Sequence, residues 1–553
     1  MTPSHSVDTA RISARPWPGA SIAISIAIFI QAFRILTVSA SNGETPFLSA
    51  NDRSRWCTIA SLTEDRSFVI DRFLEKRDSK GKTRTWYSID MVRKPEADGT
   101  EHYYSSKPPL LSLIYACVCS PLSVLLNHRL SDAPFLVGRS LLLVVNLLPI
   151  ALMWFAFANW IRRQTDDTWS RWILLSMVLF GTFLSTFTNT INNHFPAAFF
   201  MIASLWTLEC LFSQAKHGSA DHAGVAADAR SLRRGLCLLA VGCSAAFTAA
   251  FELPALAWFC TVIGLVGLRL GVRAAVLAVL GGLPVAIAFA VSNYVAYGDL
   301  QPPYAHREVL GPQLASVRIE QESPSTNPPE IKDLEPAIRE AKIPMAEPFS
   351  IRSARRANTW EITGTNSQYP DQRTRLAVVP TSDGWTLHRW NDWYDYPKSY
   401  WLPENKRGVD LGEPSRIMYA LHVLIGHHGI FSLTPFWWVS LVGAIVVLLY
   451  PKSASDWWLT LAISAVSLVC IAFYLSRPLI DRNYGGVCSG FRWIFWLAPA
   501  WIWLSGHALE KLRNSSLGRW LVMLAVAISV FSATYPWANP WQHPWPYAWL
   551  QGK

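Results

Sequence analysis

Runs of about 20 predominantly apolar residues recur along the chain, separated by short polar stretches; coiled as helices they match the thickness of a bilayer's hydrocarbon core. Candidate spans are Ala20–Val38, Pro109–Leu126, Phe135–Trp160, Trp172–Phe187, Phe195–Phe212, Leu236–Ala250, Leu253–Leu268, Ala274–Val295, Ile430–Tyr450, Trp457–Leu475, Trp493–Leu509 and Leu517–Thr534. The pattern predicts an all-α polytopic membrane protein with about 11–13 transmembrane helices. Two hydrophilic blocks interrupt it, Ser41–Lys107 and Gly298–Met418. In the first, Trp86–Met91 and His102–Tyr104 flank Asp98-Gly99 and predict a hairpin; in the second, Leu376–Trp390 reads as two short strands around Asp383-Gly384. The second block is too long and too diverse for a linker and predicts a small α+β domain outside the membrane. The chain thus divides into a transmembrane module over 1–298 with a large first extracytoplasmic loop at 41–107, an extracytoplasmic domain over 299–417, and C-terminal helices over 418–553.

Composition agrees: of 553 residues 51% are hydrophobic and only 16% charged, which excludes an ordinary soluble enzyme. The net charge of +10 is not a nucleic-acid footprint, because the basic residues lie in short loops between apolar stretches. Placing the loops around Arg162-Arg163, Arg230–Arg234, Arg269–Arg273, Lys452 and Lys511–Arg519 in the cytoplasm puts Asn192-Asn193-His194, Phe251–Pro254 and the middle block outside. Pro109–Leu126 breaks this alternation, and Pro121 offers a re-entrant path. The first segment, behind Arg11 and Arg15, reads as a retained span in a cytoplasmic (inner) membrane, with a signal peptide ending near Val38-Ser39-Ala40 as the alternative.

Most of the nine cysteines fall in apolar segments without metal-ligand spacing; Cys57 and Cys488, in outer loops, are the one candidate disulfide pair. His422, His427 and His428 do not put three ligands on one helical face, so no zinc site is expected. The indole-rich run Tyr535–Trp549 reads as an interfacial anchor. No Gly-rich phosphate loop, Asp-x-Asp pair or Ser-His-Asp signature is present, which argues against a cytoplasmic nucleotide-sugar domain.

The chemistry concentrates where the chain leaves and re-enters the membrane. Asn51-Asp52-Arg53-Ser54-Arg55-Trp56 follows the first span, with Ile59 and Leu62 at helical spacing from Trp56, predicting an amphipathic helix on the outer membrane surface. Asp52 at its start is either an N-cap or a functional carboxylate. Lys107, in Tyr104-Ser105-Ser106-Lys107-Pro108-Pro109-Leu110-Leu111, either snorkels or binds an anion that the helix N-terminus also favours. Glu252 either caps a re-entrant turn or lines a cavity, and Asn193 and His194 either form a solvated turn or bind substrate.

The Asp-x-x-Arg-aromatic motif after the first span, followed by Lys-Pro-Pro-Leu-Leu opening the second, resembles the GT-C glycosyltransferases. In particular it resembles the protein O-mannosyltransferase and aminoarabinose transferase branch, which takes sugars from polyprenyl phosphates. The resemblance covers about residues 20–270 and extends to Gly138-Arg139, Phe195-Pro196-Ala197-Ala198-Phe199-Phe200 and Arg492-Trp493. It implies that Asp52 is the catalytic base of an inverting transfer from a polyprenyl-phosphate-linked sugar to an extracytoplasmic acceptor, whether protein, glycan or lipid. Lys107 would hold the departing phosphate, with Arg55 and Arg492 as further partners. One carboxylate suffices, since a phosphate leaving group needs no proton. Where relatives often carry a second acidic residue, this chain has Asn193 and His194, and these join Tyr104 and Glu252 as candidate substrate-binding residues. Some branches use a divalent ion; with no carboxylate near Asp52 in sequence, no metal and no other cofactor is expected. The expected partners are the lipid-linked sugar, the acceptor and membrane lipid, with no nucleic acid. The competing reading is a transporter or flippase in which Asp52, Lys107 and Glu252 are gating charges, although no internal repeat supports it.

Overall fold

The computed structural model describes residues 17–78, 80–96, 100–217, 225–318, 328–370 and 373–552; the tail carrying Arg11 and Arg15 and the Asp98-Gly99 pair lie outside them. Ten helices among these residues are long and apolar enough to cross a membrane, so the chain is a mostly helical, polytopic membrane protein with small sheets. The count falls short of the expected 11–13 because proline breaks two of the apolar runs. Ile430–Tyr450 splits at Thr434-Pro435 into Ile430–Leu433 and Trp437–Leu449, and Trp493–Leu509 opens as a 3₁₀ turn, Arg492–Leu497, before Pro499 sets the first turn of Ala498–Leu512.

Contacts divide the chain into two units, a helical one of Met1–Val38, Gly138–Ile287 and Val409–Lys553, and a second of Ser39–Val137 with Ala288–Gly408. The second unit joins the first outer loop to the middle block.

In the helical unit, Trp154, Phe157, Trp258, Trp496 and Trp503 fill the core, whereas Phe29, Leu268 and Leu468 stay exposed, as lipid-facing side chains must. Close helix approaches depend on small residues: a Cβ on Gly443 would come within 2.0 Å of the Leu504 carbonyl. The span Pro134–Gln164 carries a π-helical turn at Leu143–Leu147, just before Pro149, whose missing N–H cannot bond Val145. Asn146 in that turn donates to the carbonyls of Thr188 (2.9 Å) and Thr190 (3.0 Å). Arg34, buried near the end of Pro18–Thr37, donates to the carbonyls of Ser185 (2.7 Å), Thr186 (2.8 Å) and Trp537 (3.0 Å). Together these bonds hold the Ser185–Thr190 backbone, where the short helical turns Phe183–Thr186 and Phe187–Asn189 end and leave carbonyls to be satisfied by side chains.

In the second unit, the strand expected at Trp86–Met91 lies further on: β1 (Met91–Pro95) pairs antiparallel with β2 (Glu101–Ser105), Met91 opposite Ser105. Trp86 is drawn out of the strand into a buried cluster with Phe47 and Phe73. The middle block forms a five-stranded antiparallel sheet from β3 (Gln313–Arg318), β4 (Ala346–Ser353), β5 (Trp360–Thr365), β6 (Arg373–Thr381) and β7 (Gly384–Arg389), ordered β3-β7-β6-β5-β4. The expected hairpin is β6–β7, turning through Ser382-Asp383. Helix Ile331–Glu340 sets Leu334 and Ile338 on Ile362, Leu376, Val378 and Leu387, each buried side chain being worth roughly 1.5–3 kcal/mol. Arg93 N–H bonds the Trp393 carbonyl at 2.9 Å, and the Arg375 guanidinium bonds Glu101 and Glu361, tying the first loop to the sheet.

Candidate functional site

The sequence-read site residues separate into two groups, one in each unit. In the second unit, Asp52 lies in the helix Ala50–Glu64, but not as its cap. Ser49 is the N-cap and Asp52 the third helical residue of a capping box, its oxygens accepting the amides of Leu48 (3.1 Å) and Ser49 (3.4 Å). The helix is also not laid on a surface: Asn51 through Ser61 are buried save Arg53, with Trp56 stacked on Phe47 at 4.8 Å.

Lys107 stands two residues before the helix Pro109–Leu126, which has Pro108 as its N-cap and Pro109 as its first residue, a position suited to proline. Its ammonium contacts both oxygens of Asp90, at 3.0 and 2.9 Å, while keeping part of its side chain in solvent. Asp90 also accepts from Ser106 Oγ and from Asn51 Nδ2 (3.1 Å), and Arg55 donates to Asn51 Oδ1. Burial pushes the Asp90 carboxyl up, yet the Lys107 ammonium, the Ser106 hydroxyl and the Arg55 charge together hold it below the usual carboxylate range. A serine pair, Ser54 to Ser105 at 2.7 Å, locks the helix to β2 beside this cluster. Tyr104 is not drawn into it: its hydroxyl donates to Glu96 at 2.7 Å and its ring meets Tyr297 edge-on.

In the helical unit, the Asn193-His194 turn is not solvated; the His194 side chain is 2% exposed and that of Glu252 6%. His194 Nδ1 pairs with the Glu252 carboxylate, which also accepts from Asn193 Nδ2 at 2.6 Å. Arg492 Nη1 lies 3.0 Å from His194 Nε2, so that nitrogen accepts and Nδ1 carries the proton offered to Glu252. Glu252 therefore anchors a buried relay. Arg492 is itself fixed: Nε donates to the Gly485 carbonyl at 2.6 Å and its guanidinium sits 5.0 Å over the Trp541 ring. Gly485 has φ +96°, and a Cβ there would stand 2.5 Å from Arg492 Nε. Beside this cluster a narrow apolar cavity is lined by Phe183, Leu433, Trp437, Phe491, Ile494 and Phe495.

The indole-rich run expected to anchor at the interface is divided in its work. Trp541 donates to Thr190 at 3.1 Å and Trp545 to Ser532 at 2.9 Å, binding the segment inward, while Trp537 and Trp549 stay exposed. Arg139 donates to the Val38 carbonyl at 2.6 Å, a tie between helices. Cys57 and Cys488 are buried free thiols. His422, His427, His428 and His543 do gather, with His427 stacked on His422 at 4.0 Å and His428 5.9 Å from His543, but no donor set among the described residues suits a metal ion. Sequence reasoning missed Asp90, Asn51 and Trp541. The only available signal for Asp90 was its place at the strand edge facing Ser106, and that needed the correct register.

No protein-family model matches the sequence, and no curated protein matches it. Among solved structures the chain is similar to the archaeal oligosaccharyltransferase AglB from Archaeoglobus fulgidus, determined in complex with an inhibitory peptide and a dolichol-phosphate. The TM-score is 0.39 at 10% identity, over 96% of this chain and 57% of that one. The chain spans little more than half the length of that protein.

Proposed function

We propose that this protein is a membrane glycosyltransferase that moves a sugar from a polyprenyl-phosphate donor to an acceptor outside the cytoplasm. The observation that carries the reading is the Asp90-centred cluster: Lys107, partly exposed at the start of an apolar helix, and Arg55, linked through Asn51, face one carboxylate. Two cations beside a helix N-terminus at the edge of an apolar span suit a phosphate whose lipid tail lies in the bilayer. The sequence resemblance to polyprenyl-phosphate-dependent transferases points the same way.

In this reading Asp52 takes the proton of an acceptor hydroxyl or amine as the acceptor oxygen or nitrogen bonds to the anomeric carbon. The bond from that carbon to the phosphate oxygen breaks, the electron pair leaves with the phosphate, and the anomeric configuration inverts. Lys107 and Arg55 stabilise the charge gathering on the departing phosphate. The His194–Glu252–Arg492 relay and the apolar cavity beside it suit binding of a polar group joined to hydrocarbon.

The test is transfer from radiolabelled polyprenyl-phosphate mannose and related donors into membrane extracts, comparing purified wild type, Asp52→Asn and Lys107→Ala. Donor-dependent labelling lost in Asp52→Asn, with weaker donor affinity in Lys107→Ala, supports the reading. Equal transfer by all three defeats the assigned site. Movement of intact donor across vesicles without acceptor-dependent cleavage favours a flippase instead.

A further inference from the structure

A phosphate site made of two cations alone holds a dianion more tightly than a monoanion, and the proposed reaction converts one into the other. The donor is a phosphodiester with one negative charge, and the lipid product is a phosphomonoester with nearly two above its second pKa near 6. Such a site would retain its product. Here the cations are not alone, because Asp90 contacts Lys107 through both oxygens and reaches Arg55 through Asn51. Two cations against one carboxylate leave one formal positive charge, equal and opposite to that of a phosphodiester. Asp52, one turn before Arg55, faces the amides of its own helix N-terminus, which offsets much of its charge.

Resting on the function proposed above, we propose that Asp90 is a specificity-determining residue that matches the Lys107–Arg55 site to a monoanionic phosphodiester and speeds release of the monoester product. The carboxylate is placed for this by β-register. Met91 opposite Ser105 sets Ser106 beside Asp90, its amide 3.3 Å from the Asp90 carbonyl and its hydroxyl on the Asp90 carboxylate, so lysine and aspartate, 17 positions apart, meet at the end of the ladder. The surroundings keep Asp90 ionised through the neutral range, and Tyr394 and Tyr396, phenols that sense its charge, are held neutral by burial.

The experiment is equilibrium binding of farnesyl monophosphate and of its methyl phosphodiester to the full-length protein in detergent, for wild type, Asp90→Asn and Asp90→Glu. At pH 8 Asp90→Asn should bind the monoester about tenfold more tightly, with a much smaller gain for the diester, and Asp90→Glu should behave as wild type. At about pH 5, where both lipids are monoanions, the asymmetry should collapse. An unchanged ratio of the two affinities in Asp90→Asn, or equal weakening of both, overturns the proposal while leaving the proposed function standing. Failure of the wild type to bind either lipid overturns both. Because the readout is a ratio of two ligands on one variant, a loss of folded protein does not imitate the expected result.

Discussion

Glu252 and His194 meet as a buried hydrogen-bonded couple across the ends of two helices, the neutral imidazole donating to the carboxylate and accepting from Arg492. Truncating the carboxylate leaves the ring and Asn193 without their shared acceptor in a site nearly closed to water. Glu252→Ala should therefore lower stability by about 1–3 kcal/mol, and Glu252→Gln, which retains an acceptor, by less. Denaturant or thermal unfolding in detergent reads the difference; equal losses would mean that the pairing charge adds nothing beyond a hydrogen bond.

Gly485 and Gly486 supply a matched pair of variants. Both lie at positive φ, +96° and +78°, so alanine at either costs about 1–2 kcal/mol of backbone strain. Only at Gly485 does the new Cβ strike Arg492, whereas at Gly486 the nearest atom is Asp410 Oδ1 at 3.8 Å. Gly485→Ala should reduce transfer well beyond Gly486→Ala at similar stability, as measured by activity per folded molecule.

Asp52 occupies the third position of the capping box, which asparagine also fills, since an amide oxygen accepts the Leu48 and Ser49 N–H groups. Asp52→Asn should alter stability by less than about 1 kcal/mol while lowering turnover by about 10²–10⁴-fold. Retained turnover with a stability change of that size would identify the carboxylate as the Ser49 capping-box partner and nothing more.

The histidine cluster predicts acid sensitivity. Burial, and then repulsion from His422 and His543, lowers His427 to about 4; burial, and then His427, His543 and His422, holds His428 well below the ordinary value. Above pH 6.5 both folded and unfolded chains carry these rings neutral, so nothing is lost. As pH falls from about 6.5 toward 4 the unfolded chain takes up protons that the folded one refuses, and stability declines, by about 1–2 kcal/mol for the partly exposed His427. His427→Gln should flatten this decline in melting temperature measured between pH 7 and pH 4.5.

Asp392 acts with the opposite sign. Burial first, and then the neighbouring Asp395 charge, raises its carboxyl to about 6. The unfolded chain ionises it near pH 4 and the folded chain only near 6, so stability declines as pH rises through that window and the cost persists at neutrality. Asp392→Asn, which still accepts the Tyr394 amide, should gain about 2 kcal/mol at pH 7 and little at pH 3.5. Chemical denaturation at the two pH values checks it.

The sequence by itself determined the membrane character, most span positions, the β6–β7 hairpin, the helix after the first span and the placement of Lys107 at a helix start. All of these follow from local hydrophobic period, turn chemistry and proline, which act over a few neighbouring residues. Tertiary structure decided the partners. That Lys107 faces Asp90 depends on a strand register set one residue from the carboxylate, and that His194 faces Arg492 joins positions 298 apart. Trp541 reaches Thr190 across 351 positions and so turns an interfacial-looking indole into a brace for the site. Buried polar groups must find partners somewhere, but a one-dimensional pattern states only that they need them. Which group answers is fixed when distant segments pack and water is excluded.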